Sequence, residues 1–364
     1  MRMRRAASFL ALAHAALICQ DVRAASFTIQ QFATGAAVGG ASPDSVQFGD
    51  GSLWIAYQNG AASTGGSGSS TVVRYSPSGT VINTWSIAGN VDGLRIDPSG
   101  TVWALQNNDA NSALTTINPV TNATTSYTYG SSYTNVSGRG FDDVQFTNSQ
   151  VFMSETNPTG GTDPIVVRMT TPLASPLQIG GILNSTFTGT NLATGRVQST
   201  TITDPDSLIL TPSGDLALTG EADQEIVWIH NEGMVNQSES FIRLLGADGK
   251  TISGLPDDTA YSTSKSGYFY LADTGANIIY RVTATGLTPG AVYVDVGKVF
   301  GSLDLSTGVV TPIFTGVSPH GMQFVAANIP EPASFAFVFV GLLLGGTAVE
   351  VRRRKRAFSR KSAD

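Results

Sequence analysis

The chain has 364 residues, with 40 glycines and only 13% charged side chains, a composition suited to short strands and many turns rather than long solvent-facing helices. Of its 21 Lys and Arg, 11 lie at the two ends, against 4 of the 27 Asp and Glu, so the body between residues 25 and 329 carries about −13. That charge disfavours nucleic acid as a partner, because phosphate neutralisation needs clustered Lys and Arg; cations and neutral glycans are easier ligands.

Residues 1–24 read as a signal peptide. Arg2, Arg4 and Arg5 precede an apolar run from Ala6 to Ile18, and Val22-Arg23-Ala24 offers small side chains for signal peptidase, with cleavage expected after Ala24. The apolar run, about 13 residues, is too short for a bilayer core that needs roughly 20. Cys19, the only cysteine, leaves with this segment. The mature body then has no disulfide, no thiol nucleophile and no cysteine metal ligand.

The body, residues 25–326, repeats. Asp44-Ser45-Val46-Gln47-Phe48 recurs as Asp92-Gly93-Leu94-Arg95-Ile96, Asp142-Asp143-Val144-Gln145-Phe146, Asp206-Ser207-Leu208-Ile209-Leu210 and, more weakly, Asp257-Asp258-Thr259-Ala260-Tyr261, with a partial copy at His320-Gly321-Met322-Gln323-Phe324. After each of the first four comes a turn and a second apolar strand, such as Gly51-Ser52-Leu53-Trp54-Ile55 and Gly100-Thr101-Val102-Trp103-Ala104; the fifth copy is followed by Gly267-Tyr268-Phe269-Tyr270-Leu271. Asp97-Pro98-Ser99-Gly100 and Thr211-Pro212-Ser213-Gly214 place Pro and Gly where a tight reversal needs them. Third strands follow at Thr71–Tyr75, Glu225–His230 and Asn277–Val282. Spacings of roughly 48 to 64 residues suit propeller blades with loop insertions. A sheet this small cannot bury both faces alone, and stacking blades about an axis solves that.

The stretch from Gly267 through Asp273-Thr274-Gly275 to Val282 resembles the blades of NHL and SMP-30/gluconolactonase propellers. The expected fold is all-β, a propeller of five or six blades, with Phe27–Phe32 and His320–Val325 closing the ring if there are six. Trp54 and Trp103 should occupy matching positions in neighbouring blades.

Catalytic signatures are few. His230 and His320 are the histidines left after processing, and there is no HExxH, GxSxG, Walker or dinucleotide motif. Ser262-Thr263-Ser264-Lys265 falls between strands rather than on the helical turn that a Ser-Lys pair needs. Asn107, Asp109 and Asn111 alternate like calcium-loop ligands but lack the Gly and Glu of such a loop, which leaves a polar turn. Ala61–Ser70 reads as an exposed flexible loop. The constellation of interest is Asp44, Asp92, Asp142, Asp206 and Asp257 with His320, which a propeller would bring to one mouth of its channel. There the carboxylates would raise one another's pKa or recruit Ca²⁺, the one cofactor the sequence allows for. The competing reading ties each Asp to the backbone of its own turn, and is the stronger one because it explains the recurrence. The identity of any metal stays open.

The C-terminus carries a Pro-Glu-Pro motif (Pro330, Glu331, Pro332) in a linker at 327–332, an expected transmembrane helix at 333–351 whose apolar core is Ala333–Val349, and a basic tail at 352–364. Seventeen apolar residues span about 26 Å at 1.5 Å each. Arg352, Arg353, Arg354, Lys355 and Arg356 set topology, keeping the tail cytoplasmic and the body outside the inner membrane. This order of motif, span and basic cluster resembles the PEP-CTERM sorting signal, which implies recognition by exosortase and release to the outer envelope or matrix. The expected function is an exported, non-enzymatic binding or structural propeller in an exopolysaccharide or biofilm setting, with a glycan or envelope protein as partner. The alternative is a metal-dependent, lactonase-like hydrolase using the central mouth.

Overall fold

The computed structural model describes residues 24–133, 136–147 and 150–327. The signal peptide to residue 23, the Pro-Glu-Pro motif, the transmembrane segment and the basic tail lie outside the described residues. Among the described residues there is no α-helix, and none long and apolar enough to cross a membrane.

The strands form six antiparallel blades. Blade 1 holds Pro43–Gly49, Ser52–Tyr57, Ser69–Tyr75 and Val81–Ala88. Blade 2 holds Val91–Ile96, Val102–Gln106, Ala113–Ile117 and Thr124–Thr128. Blade 3 holds Phe141–Phe146, Val151–Glu155, Pro164–Met169 and Ile179–Asn184. Blade 4 runs through Pro205–Leu210, Leu216–Gly220, Glu225–His230 and Ser238–Arg243, and its outer edge takes on the hairpin Thr186–Asn191 and Arg196–Thr201 through a short parallel pairing. One strand of each blade, the first in blades 1 to 5, lines the axis, and these inner strands contact one another in cyclic order until the last meets the first.

Blades 5 and 6 are interleaved, and here the sequence reading is corrected. Pro256–Tyr261 is the inner strand of blade 5, but its partner is Val292–Val296, followed by Val299–Leu303 and Val310–Thr315. The hairpin Ser266–Asp273 and Ile278–Thr285, expected to continue the fifth repeat, belongs to blade 6. It sits between the inner strand Pro319–Ala326 and the N-terminal strand Ser26–Thr34. The count is therefore six, closed by the two segments expected to close it. Trp54 and Trp103 do match: each pairs with the fourth residue of its blade's repeat motif, Gln47 and Arg95.

Burial follows from this geometry. Each blade is covered on both faces by its neighbours, so second strands such as Leu53-Trp54-Ile55-Ala56-Tyr57 are apolar throughout and fully buried rather than alternating. The apolar clusters lie between consecutive blades. Trp54, Trp85, Leu94 and Ile117 join blades 1 and 2, while Phe269, Leu271, Tyr293 and Phe300 join blades 5 and 6. With the cores placed between blades, the axis is left free to be polar.

Candidate functional site: an acid-lined propeller mouth

Every inner strand breaks register with its neighbour at one place. The breaks fall between Pro43 and Val46, Val91 and Leu94, Phe141 and Val144, Pro205 and Leu208, Pro256 and Thr259, and opposite Ala272 and Asp273 at His320. Such bulges bend a strand and re-aim a side chain. The residues they re-aim are Asp44, Asp92, Asp142, Asp206, Asp257 and His320, and all six line one cavity of about 310 Å³ at the mouth of the channel. The recurring Asp is thus a property of the bulge, and six bulges make a ring.

In three of the motifs the next residue stitches the ring together. Ser45 Oγ donates to the Asp92 carbonyl of the following blade. Asp143 accepts from Leu208 N at 3.0 Å and Asp258 accepts from Met322 N at 2.6 Å, each again in the next blade. At Gly93 and Gly321 a Cβ would collide with the backbone carbonyl of Asp142 and of Asp44, so these two positions need glycine for the close approach of neighbouring inner strands.

A further layer was not visible in the sequence. Gln58, Asn108, Thr156, Glu221 and Thr274 follow the second strands of their blades and also line the mouth, as do Asp109 and Asp204. Gln58 Nε2 donates to Asp92 Oδ1 at 3.0 Å and Asn108 Nδ2 to Asp142 Oδ1 at 2.9 Å, in both cases from one blade to the next. The acids are therefore not each tied to their own turn. His320 Nδ1 lies 3.1 Å from Asp257 Oδ1. Arg95 is the one cation in the lining; it donates to the carbonyls of Val144 and Leu208 at 2.9 and 3.0 Å and pairs with Asp143.

One arginine does not balance this many carboxylates. Burial, then repulsion from the neighbouring acids, holds Asp44, Asp142, Asp206 and Asp257 well above the ordinary carboxylate range. Burial and the charge of Asp143 push Asp92 up to about 7; burial and Asp204 push Glu221 up to about 7. His320 moves the other way, below 6.5, because burial disfavours its charged form. At neutral pH the mouth thus combines a neutral imidazole with carboxyl groups that retain protons.

The donors suit a hard cation in kind. Asp142 Oδ2 and Asn108 Oδ1 are buried in the lining without a hydrogen-bond partner, and oxygen is the donor that Ca²⁺ takes. As the side chains stand, no three His, Cys, Asp or Glu among the described residues gather closely enough to hold a metal ion. Two other sequence features make structural contacts. Asn107 Nδ2 donates to the Asn111 carbonyl, and Asp109 N and Asn111 Nδ2 reach Ser63 and Thr64 of the Gly- and Ser-rich loop, which is pinned rather than free. Ser262 to Lys265 is the crossover from blade 5 to blade 6, with Ser262 Oγ spent on the Thr288 carbonyl.

The chain is thus a six-bladed β-propeller with an acidic mouth. No protein-family model matches it, and no curated protein matches its sequence. It is similar in fold to a virginiamycin B lyase from Staphylococcus aureus, at 13% identity over 81% of this chain and 92% of that one, with a TM-score of 0.46. It is also similar to a periplasmic gluconolactonase of Pseudomonas aeruginosa (17% identity, 78% and 88% of the chains, TM-score 0.45) and to a gluconolactonase of Xanthomonas campestris (13%, 80% and 81%, 0.46). The expectation of a non-enzymatic binding or structural propeller is corrected. Several of the solved propellers it is similar to are named as enzymes, and the geometry of the mouth, rather than those names, carries the correction: acids expected at one mouth but bonded to their own turns line one cavity, where Asp92 and Asp142 instead accept from the preceding blade.

Proposed function

We propose that the protein is a hydrolase of lactonase type that opens a small neutral lactone in the mouth of the propeller. The observation that carries this reading is the convergence of five aspartates and His320 on one cavity. About 310 Å³ is at the small end of ligand pockets, enough for a single ring. Carboxylates repel anionic esters, so the substrate is uncharged. The hydroxyls nearest the ring are committed, Ser45 to the Asp92 carbonyl and Ser207 to Thr219 Oγ1, so water rather than a side chain attacks. Direct attack suits a lactone better than an amide.

His320 accepts a proton from water as the oxygen bonds to the lactone carbonyl carbon, and Asp257, 3.1 Å from Nδ1, orients the ring. When the ring C–O bond breaks, the leaving alkoxide takes a proton from one of the carboxyls whose hold on a proton burial strengthens, such as Asp206. The product is a hydroxy acid whose new carboxylate the acidic mouth repels. A divalent cation, where bound, would polarise the carbonyl oxygen, and Asp142 with Asn108 would hold it. Export rests on the sequence alone: the two ends support a body delivered outside the inner membrane through exosortase, where this reaction would occur.

A panel of aldonolactones followed by acid release tests the reading. Ring opening above the buffer rate is expected, reduced about a hundredfold or more in His320→Gln. A panel in which no lactone is opened overturns it.

A further inference from the structure

The opposite end of the channel holds a second cavity of about 450 Å³, and Arg95 lines both, forming the partition between them. We propose that this lower cavity is a binding site for a neutral saccharide unit, separate from the acidic mouth.

The charged groups at the lower cavity are spent. Arg95 is committed to Asp143 and to the carbonyls of Val144 and Leu208. The Asp97 carboxylate accepts from Ser99 N at 2.8 Å, Thr101 N at 3.0 Å and Trp103 Nε1 at 3.1 Å. What remains is a set of amides and a phenol. Gln47 Nε2 and Gln145 Nε2 reach only their local carbonyls, Val46 and Phe146, which leaves both Oε1 atoms to accept. Gln323 uses Oε1 to accept from Phe48 N and leaves its Nε2 to donate. Tyr261 accepts from Trp228 Nε1 at 2.6 Å and keeps its own proton to give. Half-buried Phe146 and Phe324 supply apolar walls.

The chemistry of the ligand follows by elimination. A charged ligand would meet no free counter-charge. A wholly apolar one would leave three amides and a phenol unpaired, at about 1–3 kcal/mol for each group desolvated. A ring with hydroxyls at its rim and C–H groups on its faces satisfies both kinds of wall, since each Gln both donates and accepts. The volume lies in the range of ligand pockets and leaves room for a second ring.

The test is saturation-transfer NMR of the intact protein with glucose, galactose, mannose and cellobiose, which needs no catalytic turnover. At least one sugar should bind with Kd of about 1–10 mM, a weak affinity suited to one ring held by a few hydrogen bonds. Gln145→Leu, whose side chain makes one local bond, should weaken binding about tenfold while leaving the melting temperature unchanged. Asp142→Asn, across the partition, should leave it unaltered. No binding by any of the four sugars overturns the proposal. So does binding lost in Asp142→Asn but kept in Gln145→Leu, which would assign it to the mouth, and so does uptake of an anilinonaphthalene dye without sugar binding, which would make the cavity apolar in character.

Discussion

Replacing Asp92 by Asn should make the metal-free protein more stable at pH 8, although a native side chain is being removed. Asp92 accepts a hydrogen bond from Gln58 Nε2 through Oδ1, and an Asn in the same rotamer keeps that acceptor. What the substitution removes is a charge. Burial and the neighbouring Asp143 push this carboxyl from an ordinary 3.8 to about 7. A folded pKa above the unfolded one gives stability that is fully present below about pH 4 and lost as the pH rises through 7. By pH 8 the forced ionisation costs on the order of 4 kcal/mol, less whatever the ring regains by relaxing, so about 2–4 kcal/mol should return in the variant. For a chain of this size that is a rise of roughly 5–10 °C in melting temperature. Melts followed by circular dichroism in chelator at pH 8 and pH 5 read it directly, with the gain at pH 5 less than half of that at pH 8. An Asp92→Asn protein that melts at or below wild type at pH 8 would refute the account of the mouth as a store of electrostatic strain.

Related outcomes follow from other contacts. Gly321→Ala places a methyl group against the Asp44 carbonyl where blade 6 meets blade 1, and should cost about 2–4 kcal/mol in urea unfolding, whereas Gly249→Ala, in an open turn with a positive φ of 73°, should cost about 1. Arg139→Met strips the partner from Glu155, which is fully buried and otherwise held by Tyr133 Oη at 2.9 Å; a loss of about 3 kcal/mol is expected at pH 8, and a smaller one at pH 4 where Glu155 can take a proton. Excess Ca²⁺ should reverse part of the alkaline destabilisation of wild type, by about 2.7 kcal/mol at a hundredfold excess over Kd. Lactone turnover should fall on the acid side as His320 is protonated, with a midpoint below 6.5, because burial lowers its pKa.

The inner ring was legible because each bulge uses the same short motif, so the Asp recurs at blade spacing and the sequence displays what the axis will collect. The residues above it were not, since Gln58, Asn108, Thr156, Glu221 and Thr274 share a place in the fold but no chemistry and no fixed offset from the motif. Asp143 and Asp258 stood in plain sight inside the motif. Their role in reaching the next blade's backbone appears only when neighbouring inner strands are side by side. The interleaving of blades 5 and 6 was hidden by adjacency, because Pro256–Tyr261 and Ser266–Asp273 lie as close in the chain as two strands of a hairpin and yet pair with partners elsewhere. Which groups the acids bond to was misjudged for a related reason. A recurring Asp fits a local turn equally well, and the orientation imposed by the bulge, not the residue type, separates the two.

The central claim is that the six ring residues form one reactive centre. It is tested most directly by the initial rate of lactone opening at pH 8 in wild type, His320→Gln and Asp206→Asn. The account predicts saturable ring opening above the buffer rate, reduced about a hundredfold in each variant. A wild-type rate no greater than that of buffer, or one that both substitutions leave intact, would contradict it.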